Sequence, residues 1–247
     1  MVEWSRHQNS RMVSMSINNS DQAPIPAQSL MPAALRQGFE RFQTRDLPVL
    51  STKYASLADG QTPRFMIISC ADSRVDPGAI FDADPGELFV VRNVANLVPP
   101  YQIAGSEALN FHGTSAAIEY AVTVLGVDHV VVIGHGGCGG VAACLSTASQ
   151  PLPFSFVGPW VSILDAARDR VLARHPNAKA DELQRALEYE GVRQSLANLA
   201  GFPFVAEAIA ERGVQLHGAW FGIGSAELHW LADDGQFYPV TIDIVAQ

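Results

Sequence analysis

Two short apolar runs, each closing on residues suited to a metal, constrain this chain more than anything else in it. Phe65-Met66-Ile67-Ile68-Ser69-Cys70 leads into Ala71-Asp72-Ser73-Arg74. Val130-Val131-Val132-Ile133-Gly134-His135 leads into Gly136-Gly137-Cys138-Gly139-Gly140. Runs of this length that are apolar throughout read as strands of a parallel sheet covered on both faces. In open sheets of that kind ligands bind beyond the carboxyl ends of the strands. Cys70 and His135 both lie at such ends, so two tips 65 residues apart in sequence can share one ligand. Two thiolates and one imidazole suit zinc, and three protein ligands leave a fourth position open, as in catalytic rather than structural sites. Asp72 and Arg74, two and four residues past the first ligand, fall beside the same metal.

The remaining pattern extends the sheet. Strands are predicted over Arg64–Cys70, Glu87–Val91 and His129–Ile133, and near the end of the chain over Val214–Ile223, Glu227–Leu231 and Phe237–Ile244. The last two flank Ala232-Asp233-Asp234-Gly235, and Asp-Gly is a hairpin turn signal. Helices are predicted over Ser106–Leu125, from Cys138 to about Ser146, and over Trp160–Arg174, Ala180–Leu199 and Pro203–Arg212, with a Pro/Ser/Gly-rich connection at Ser149–Pro159. The fold class is therefore α/β: a mainly parallel sheet flanked by helices, with an N-terminal helical arm and a C-terminal hairpin. Residues 1–28 read as a loose polar arm and 29–247 as a single domain. The domain opens with a helix over Ser29–Asp46, capped by Ser29 and striped by Leu30, Leu35, Phe39 and Phe42, and a shorter one over Ser51–Ala58. This front section is a poor core former alone and is expected to pack on something else, such as another subunit.

Charge and cysteine usage exclude several function classes. A formal net charge of −9 argues against nucleic acid and against an anionic membrane surface. No apolar run reaches the roughly 18–20 residues that span a bilayer, and the polar N-terminus has no signal-peptide core. Three cysteines make no disulfide framework, which fits a reducing cytoplasm where thiolates stay free for metal.

Blander readings compete residue by residue. A buried Cys at a strand end is often only a small core residue. Gly134 to Gly139 also fits a dinucleotide-binding G-x-G-x-x-G, but no second strand ending in Asp or Glu follows about 20 residues on. Asp72 and Arg74 taken alone are a surface ion pair of little worth. Beside a metal, Asp72 has two opposite uses: it accepts a hydrogen bond from the nucleophile, or it swings in and closes the fourth position. Cys144 reads as a core thiol, and His112, His129, His175, His217 and His229 as structural or solvated.

Taken together, Cys70-Ala71-Asp72-Ser73-Arg74, Val91-Arg92-Asn93-Val94-Ala95-Asn96, Ala117-Ile118-Glu119-Tyr120-Ala121 and Gly134-His135-x-x-Cys138-Gly139-Gly140 resemble the β-class carbonic anhydrases from about Leu30 to the C-terminus. The resemblance implies reversible hydration of carbon dioxide to bicarbonate and a proton through a zinc-bound hydroxide. One zinc per chain would be held by Cys70, His135 and Cys138, with Asp72, oriented by Arg74, positioning the hydroxide. It also implies a substrate pocket of Gln61, Phe89, Val94, Tyr120 and Gly139. Gln61, nine residues before Cys70, and Ile67, where Asp-closed members carry Trp, match the open kind of site. The family's pocket lies at a dimer interface wrapped by N-terminal helices, so Gln61, Phe89 and Tyr120 would serve the partner's zinc; a homodimer is the minimum and a homotetramer is compatible. The stretch Pro99–Thr114 is longer than in plant-like members. Competing functions are a hydrolase of carbon disulfide or carbonyl sulfide on the same scaffold, a non-catalytic zinc subunit, and a thiol redox protein, against which the lack of Cys-x-x-Cys counts.

Overall fold

A computed structural model of the chain describes residues 30–102, 113–152 and 156–241. The expected arm, the longer Pro99–Thr114 stretch from residue 103 to 112, His112 and residues 242–244 of the last expected strand lie outside them; within the described residues that strand ends at Pro239 rather than running on through 241. The chain divides into two units, Met1–Ala55 and Ser56–Gln247.

In the first unit, α1 (Ala33–Arg41) runs through a π-helical turn (Phe42–Asp46) into α2 (Leu47–Leu57), which crosses into the second unit. The sequence pattern predicted two separate helices; the chain remains helical throughout. Pro48 explains the wide turn. It has no N–H to offer the carbonyl four residues back, and the Leu47 N–H bonds to Phe42 O instead, five residues back. Neither helix buries a residue; Leu35 and Phe39 are exposed. Phe39 stacks on Phe42 at 6.2 Å, and Tyr54 meets Phe42 edge-on at 5.9 Å.

The second unit is built on a six-stranded sheet of order β2-β1-β3-β4-β5-β6. Its strands are β1 (Phe65–Cys70), β2 (Leu88–Asn93), β3 (His129–His135), β4 (Gln215–Gly222), β5 (Glu227–Leu231) and β6 (Phe237–Pro239). β2, β1, β3 and β4 are parallel, and β4-β5-β6 is antiparallel, closed by the expected Asp-Gly turn. The helices are α3 (Pro77–Ile80), α4 (Gly113–Glu119, continued by a π-helical turn over Tyr120–Leu125), α5 (Gly139–Ser146), α6 (Val157–Val161), α7 (Asp165–Arg174), α8 (Ala180–Ala200) and α9 (Pro203–Arg212). The stretch expected as one helix over Trp160–Arg174 starts earlier, at Val157, and tightens to a 3-10 turn over Ser162–Leu164. Pro159 falls in its first turn, where a missing N–H is harmless.

Consecutive residues of β1 and β3 feed two apolar layers, which is why both runs are apolar throughout. Met66, Ile68, Val130 and Val132 pack with Ile118 and Val122, Val192 and Leu199 of α8, and Val205 of α9. Ile67, Val131, Ile133 and Ala219 form the other layer, with Phe81, Leu88, Leu228 and Trp230 against them. A third cluster sits beyond the carboxyl ends of the strands. There Cys70, Ala95, Leu97 and Cys138 pack with Val141 and Cys144 of α5, Leu164, Val171 and Leu187.

Candidate active site

β1 and β3 are neighbours, and Ser69 lies opposite Ile133, so Cys70 and His135 leave the sheet side by side. Beyond His135 the chain turns through Gly136 and Gly137, and Cys138 caps the amino end of α5. The turn must fit tightly between neighbours. A Cβ on Gly136 would come within 2.9 Å of the Trp220 ring, and one on Gly140 within 2.7 Å of Val94. The result is a buried cluster in which the ligand atoms of Cys70, His135 and Cys138 all lie within 4.8 Å of one another.

This donor set fits zinc on three counts. The two sulfurs are 4.0 Å apart, too far for a disulfide and close to the roughly 3.8 Å that two Zn–S bonds at a tetrahedral angle require. The His135 Nδ1–H donates to Gly136 O at 3.0 Å, leaving Nε2 as the lone-pair nitrogen. Among the described residues, that Nε2 is one of two buried side-chain polar atoms without a hydrogen-bond partner.

Electrostatics favour a cation at the same point. Without metal the two thiols share one proton. Donation from the Cys138 thiol brings Cys70 down to about 4, helped by His135 and by the N–H groups of Asp72 and Ala95. The same bond, together with burial, drives Cys138 well above the usual thiol range. A divalent cation relieves this by taking both as thiolates. Burial pulls the His135 imidazole down, but the Cys70 thiolate, Gly136 O and Asp72 together outweigh it and lift it.

Asp72 and Arg74 form a fork. Arg74 Nε donates to Asp72 Oδ1 at 2.9 Å, a terminal nitrogen to Oδ2 at 2.7 Å, and the Arg74 main-chain N–H to Oδ1 at 3.0 Å. Those bonds hold the Asp72 carboxyl well below the usual carboxylate range. Asp72 Oδ2 lies 4.0 Å from His135 Nε2, so the carboxylate faces the metal position from outside the ligand set.

The substrate residues named from sequence fall into two groups. Val94 and Gly139 adjoin the ligand cluster: Val94 packs against the start of α5, its carbonyl accepts from Trp160 Nε1 at 2.8 Å, and a Cβ on Gly139 would face open space. Gln61, Phe89 and Tyr120 are not brought to this chain's own ligands. Phe89 lies opposite Met66, four positions down β1 from Cys70, or about 13 Å at 3.3 Å per residue. Gln61 is exposed and precedes the start of β1 altogether. Phe89 and Tyr120 meet each other, with ring centroids 5.9 Å apart.

Several functional residues escaped sequence reasoning as individuals. Arg92, at the tip of β2, donates to three carbonyls of the Asp72 loop: Cys70 O at 3.0 Å, Asp72 O at 2.7 Å and Val75 O at 2.6 Å. A cation directly after an apolar run is the available signal, since parallel pairing puts that tip beside the first ligand. Ala95 holds a left-handed conformation (φ 64°), which a residue with a Cβ adopts only under constraint. Its N–H lies against the Cys70 sulfur. Glu188 is buried on α8 and accepts the Cys138 N–H at 3.2 Å; no spacing pattern marks it. Cys144 is the buried core thiol expected, with burial pushing it up to about 11.

A family model described as carbonic anhydrase matches residues 65–228. Beta carbonic anhydrase 3 of Arabidopsis thaliana is 35% identical over 189 residues, covering 76% of this chain and 71% of that protein. The structure of the beta-carbonic anhydrase CcaA matches with a TM-score of 0.77 and 29% identity, over 85% of this chain and 92% of the other. A structure described with two tetrameric beta-carbonic anhydrases from Sordaria macrospora matches at a TM-score of 0.64 and 29% identity, over 87% and 98% of the two chains. With its Cys-His-Cys cluster at the tips of two parallel strands, this chain belongs to the β-class carbonic anhydrases.

Proposed function

We propose that this protein is a zinc-dependent carbonic anhydrase of the open-site kind, interconverting carbon dioxide with bicarbonate and a proton. The observation that carries this is one juxtaposition: a buried Cys70–His135–Cys138 cluster with an orphan imidazole nitrogen, faced at 4.0 Å by a carboxylate locked to Arg74. Zinc, when bound, supplies a hydroxide nucleophile near neutral pH by acidifying water. Cys70, His135 and Cys138 hold it. Asp72 Oδ2, beside His135 Nε2, would accept a hydrogen bond from a hydroxyl held at the metal position and so fix its orientation. Arg74 keeps that carboxylate ionised and in one orientation. Val94 and the bare Gly139 backbone give a small apolar wall suited to an uncharged, weakly polar substrate.

Gln61, Phe89 and Tyr120 complete the pocket of a second copy. The distance of Phe89 along the sheet from this chain's own Cys70, with the Tyr120 ring beside it, supports that assignment. So does the exposure of Tyr120, Leu35 and Phe39, apolar surface that a partner would cover. The active unit is then at least a dimer, and the tetrameric Sordaria relatives make a tetramer compatible; residues 29–247 act as its catalytic domain and residues 1–28 as an arm. Cytoplasmic residence is supported by three cysteines outside any disulfide. No helix among the described residues is long and apolar enough to cross a membrane. Nothing in the site favours carbon disulfide or carbonyl sulfide.

Stopped-flow hydration of carbon dioxide from about pH 6.5 to 9, on protein of known zinc content, tests the activity. Zinc with fast turnover near neutrality is expected; zinc without turnover at any pH would refute it. Hybrid assemblies test the shared pocket. Cys138→Ser chains mixed with Gln61→Ala chains should regain activity that neither has alone, and failure to complement would return Gln61 to a structural role.

A further inference from the structure

The geometry points to Glu188 as a positioning residue that holds the ligand Cys138 in place through a frame of α8 and β4 side chains. This rests on the zinc site proposed above. Glu188 is 3% exposed, and a carboxylate taken out of water is expensive unless every lone pair finds a donor. Here the donors come from the metal-ligand turn and its immediate supports. Oε1 accepts the Cys138 N–H at 3.2 Å and Gln184 Nε2 at 3.2 Å. Oε2 accepts the Trp220 indole N–H at 3.1 Å. Arg185 Nε stands 3.7 Å from Oε2, and its guanidinium lies 4.0 Å from the Trp220 ring centre, placing a cation over both partners.

Three features aim this cluster at the metal ligand rather than at the core in general. Gln184 also donates to Cys138 O at 3.4 Å, so both main-chain groups of that ligand are held from α8. Trp220 lies beside Gly134 in the β3–β4 register and under Gly136, whose N–H donates to Phe221 O at 2.9 Å. The indole thus touches the turn between His135 and Cys138, and Glu188 ties that indole to the second cysteine. A plug serving only stability would have no reason to engage a ligand's N–H, a residue bonded to the ligand's carbonyl, and the ring beneath the ligand turn together.

The test uses full-length protein stripped of metal by chelation and measures zinc affinity by competition with a chromogenic chelator. The visible spectrum of the cobalt-substituted protein is recorded alongside. Glu188→Gln keeps the shape but replaces one acceptor oxygen by a donor and removes the charge. Supports of metal ligands are typically worth 10–100-fold in affinity. Glu188→Gln should therefore weaken zinc by about 10–100-fold and shift the thiolate-to-cobalt band. Gln184→Ala should do the same to a smaller degree, and it carries the test if Glu188→Gln fails to fold by circular dichroism. A loss of thermal stability with zinc affinity within about threefold of wild type and an unchanged cobalt spectrum, in whichever variants fold, would overturn the assignment. That result would leave the enzyme itself intact if the wild type binds zinc and hydrates carbon dioxide. A wild type that binds no zinc would overturn both.

Discussion

Arg92 offers the sharpest test of how the Asp72 loop is held. Its guanidinium reaches three carbonyls, those of Cys70, Asp72 and Val75, at 2.6 to 3.0 Å, with Asp76 3.9 Å away. Hydrogen bonds to a charged group are worth about 1.5–3 kcal/mol each, so three give roughly 4.5–9 kcal/mol as a ceiling. The side chain is 32% exposed, and water replaces part of what is lost. About half the ceiling, roughly 2–4 kcal/mol, is the working figure for Arg92→Met, which keeps the aliphatic stem. In a chain of this size each kcal/mol moves the melting temperature by about 2–4 °C, so a drop of roughly 5–15 °C is expected by calorimetry. Arg92→Lys should recover about a third, because an ammonium on a flexible stem replaces one of the three bonds well. Zinc content should survive, since Cys70 sits on the strand, while hydration falls because Asp72 and Arg74 lose their fixed loop. A melting temperature within about 2 °C of wild type would refute the clamp.

Asp72→Asn should leave one zinc per chain and cut hydration by about 100-fold or more, because an amide offers Arg74 one acceptor in place of two and no charge; near-normal turnover would sink its role. Zinc uptake by the apoprotein at pH 7–8 should release at least one proton, the one held by Cys138, read by calorimetry in buffers of different ionisation enthalpy; no buffer dependence would contradict the shared-proton pair. His217 is pulled down by burial and then by His129, whose Nδ1 lies 3.2 Å from its Nε2. The folded chain therefore takes up that proton less readily than the unfolded one. Stability is full above the unfolded histidine value of about 6.5 and declines as pH falls below it. His217→Gln should flatten the melting temperature between about pH 6.5 and 5; an unchanged slope would assign it to other groups.

Most of the fold was legible because burial on two faces leaves an unmistakable trace. Ile67, Ile68, Val131 and Val132 are all buried, as a strand inside a parallel sheet covered on both faces requires. α8 and α9 fall where helices were expected, and the hairpin where its Asp-Gly put it. The helix bounds near two prolines differed from expectation: Pro48 and Pro159 each sit where a widened turn or a first turn absorbs the missing N–H, and the chain stays helical. The four-residue helix α3 went unseen for a different reason. Asp76, whose carboxylate accepts the Ala79 N–H at 3.1 Å, and Pro77 at the first helical position mark its start, but one turn is too short to show an apolar period.

The ligands were legible and their supports were not, and the difference has a physical origin. Cys70 and His135 end apolar runs, Cys138 follows in the same Gly-rich turn, and the family resemblance ties the three into one ligand set; the parallel pairing of β1 with β3 is what brings them together. Asp72 and Arg74 follow from adjacency to a ligand. Arg92, Glu188 and Trp220 act across 17 to 50 residues of sequence through side-chain hydrogen bonds. Glu188 in particular sits on α8 among other charged residues, where a carboxylate ordinarily faces water. Only the packing of α8 against β3 and β4 reveals that this one points inward at a ligand's N–H. A substitution at Glu188 would therefore look like a harmless surface change in sequence. It is expected to act like damage to the metal site.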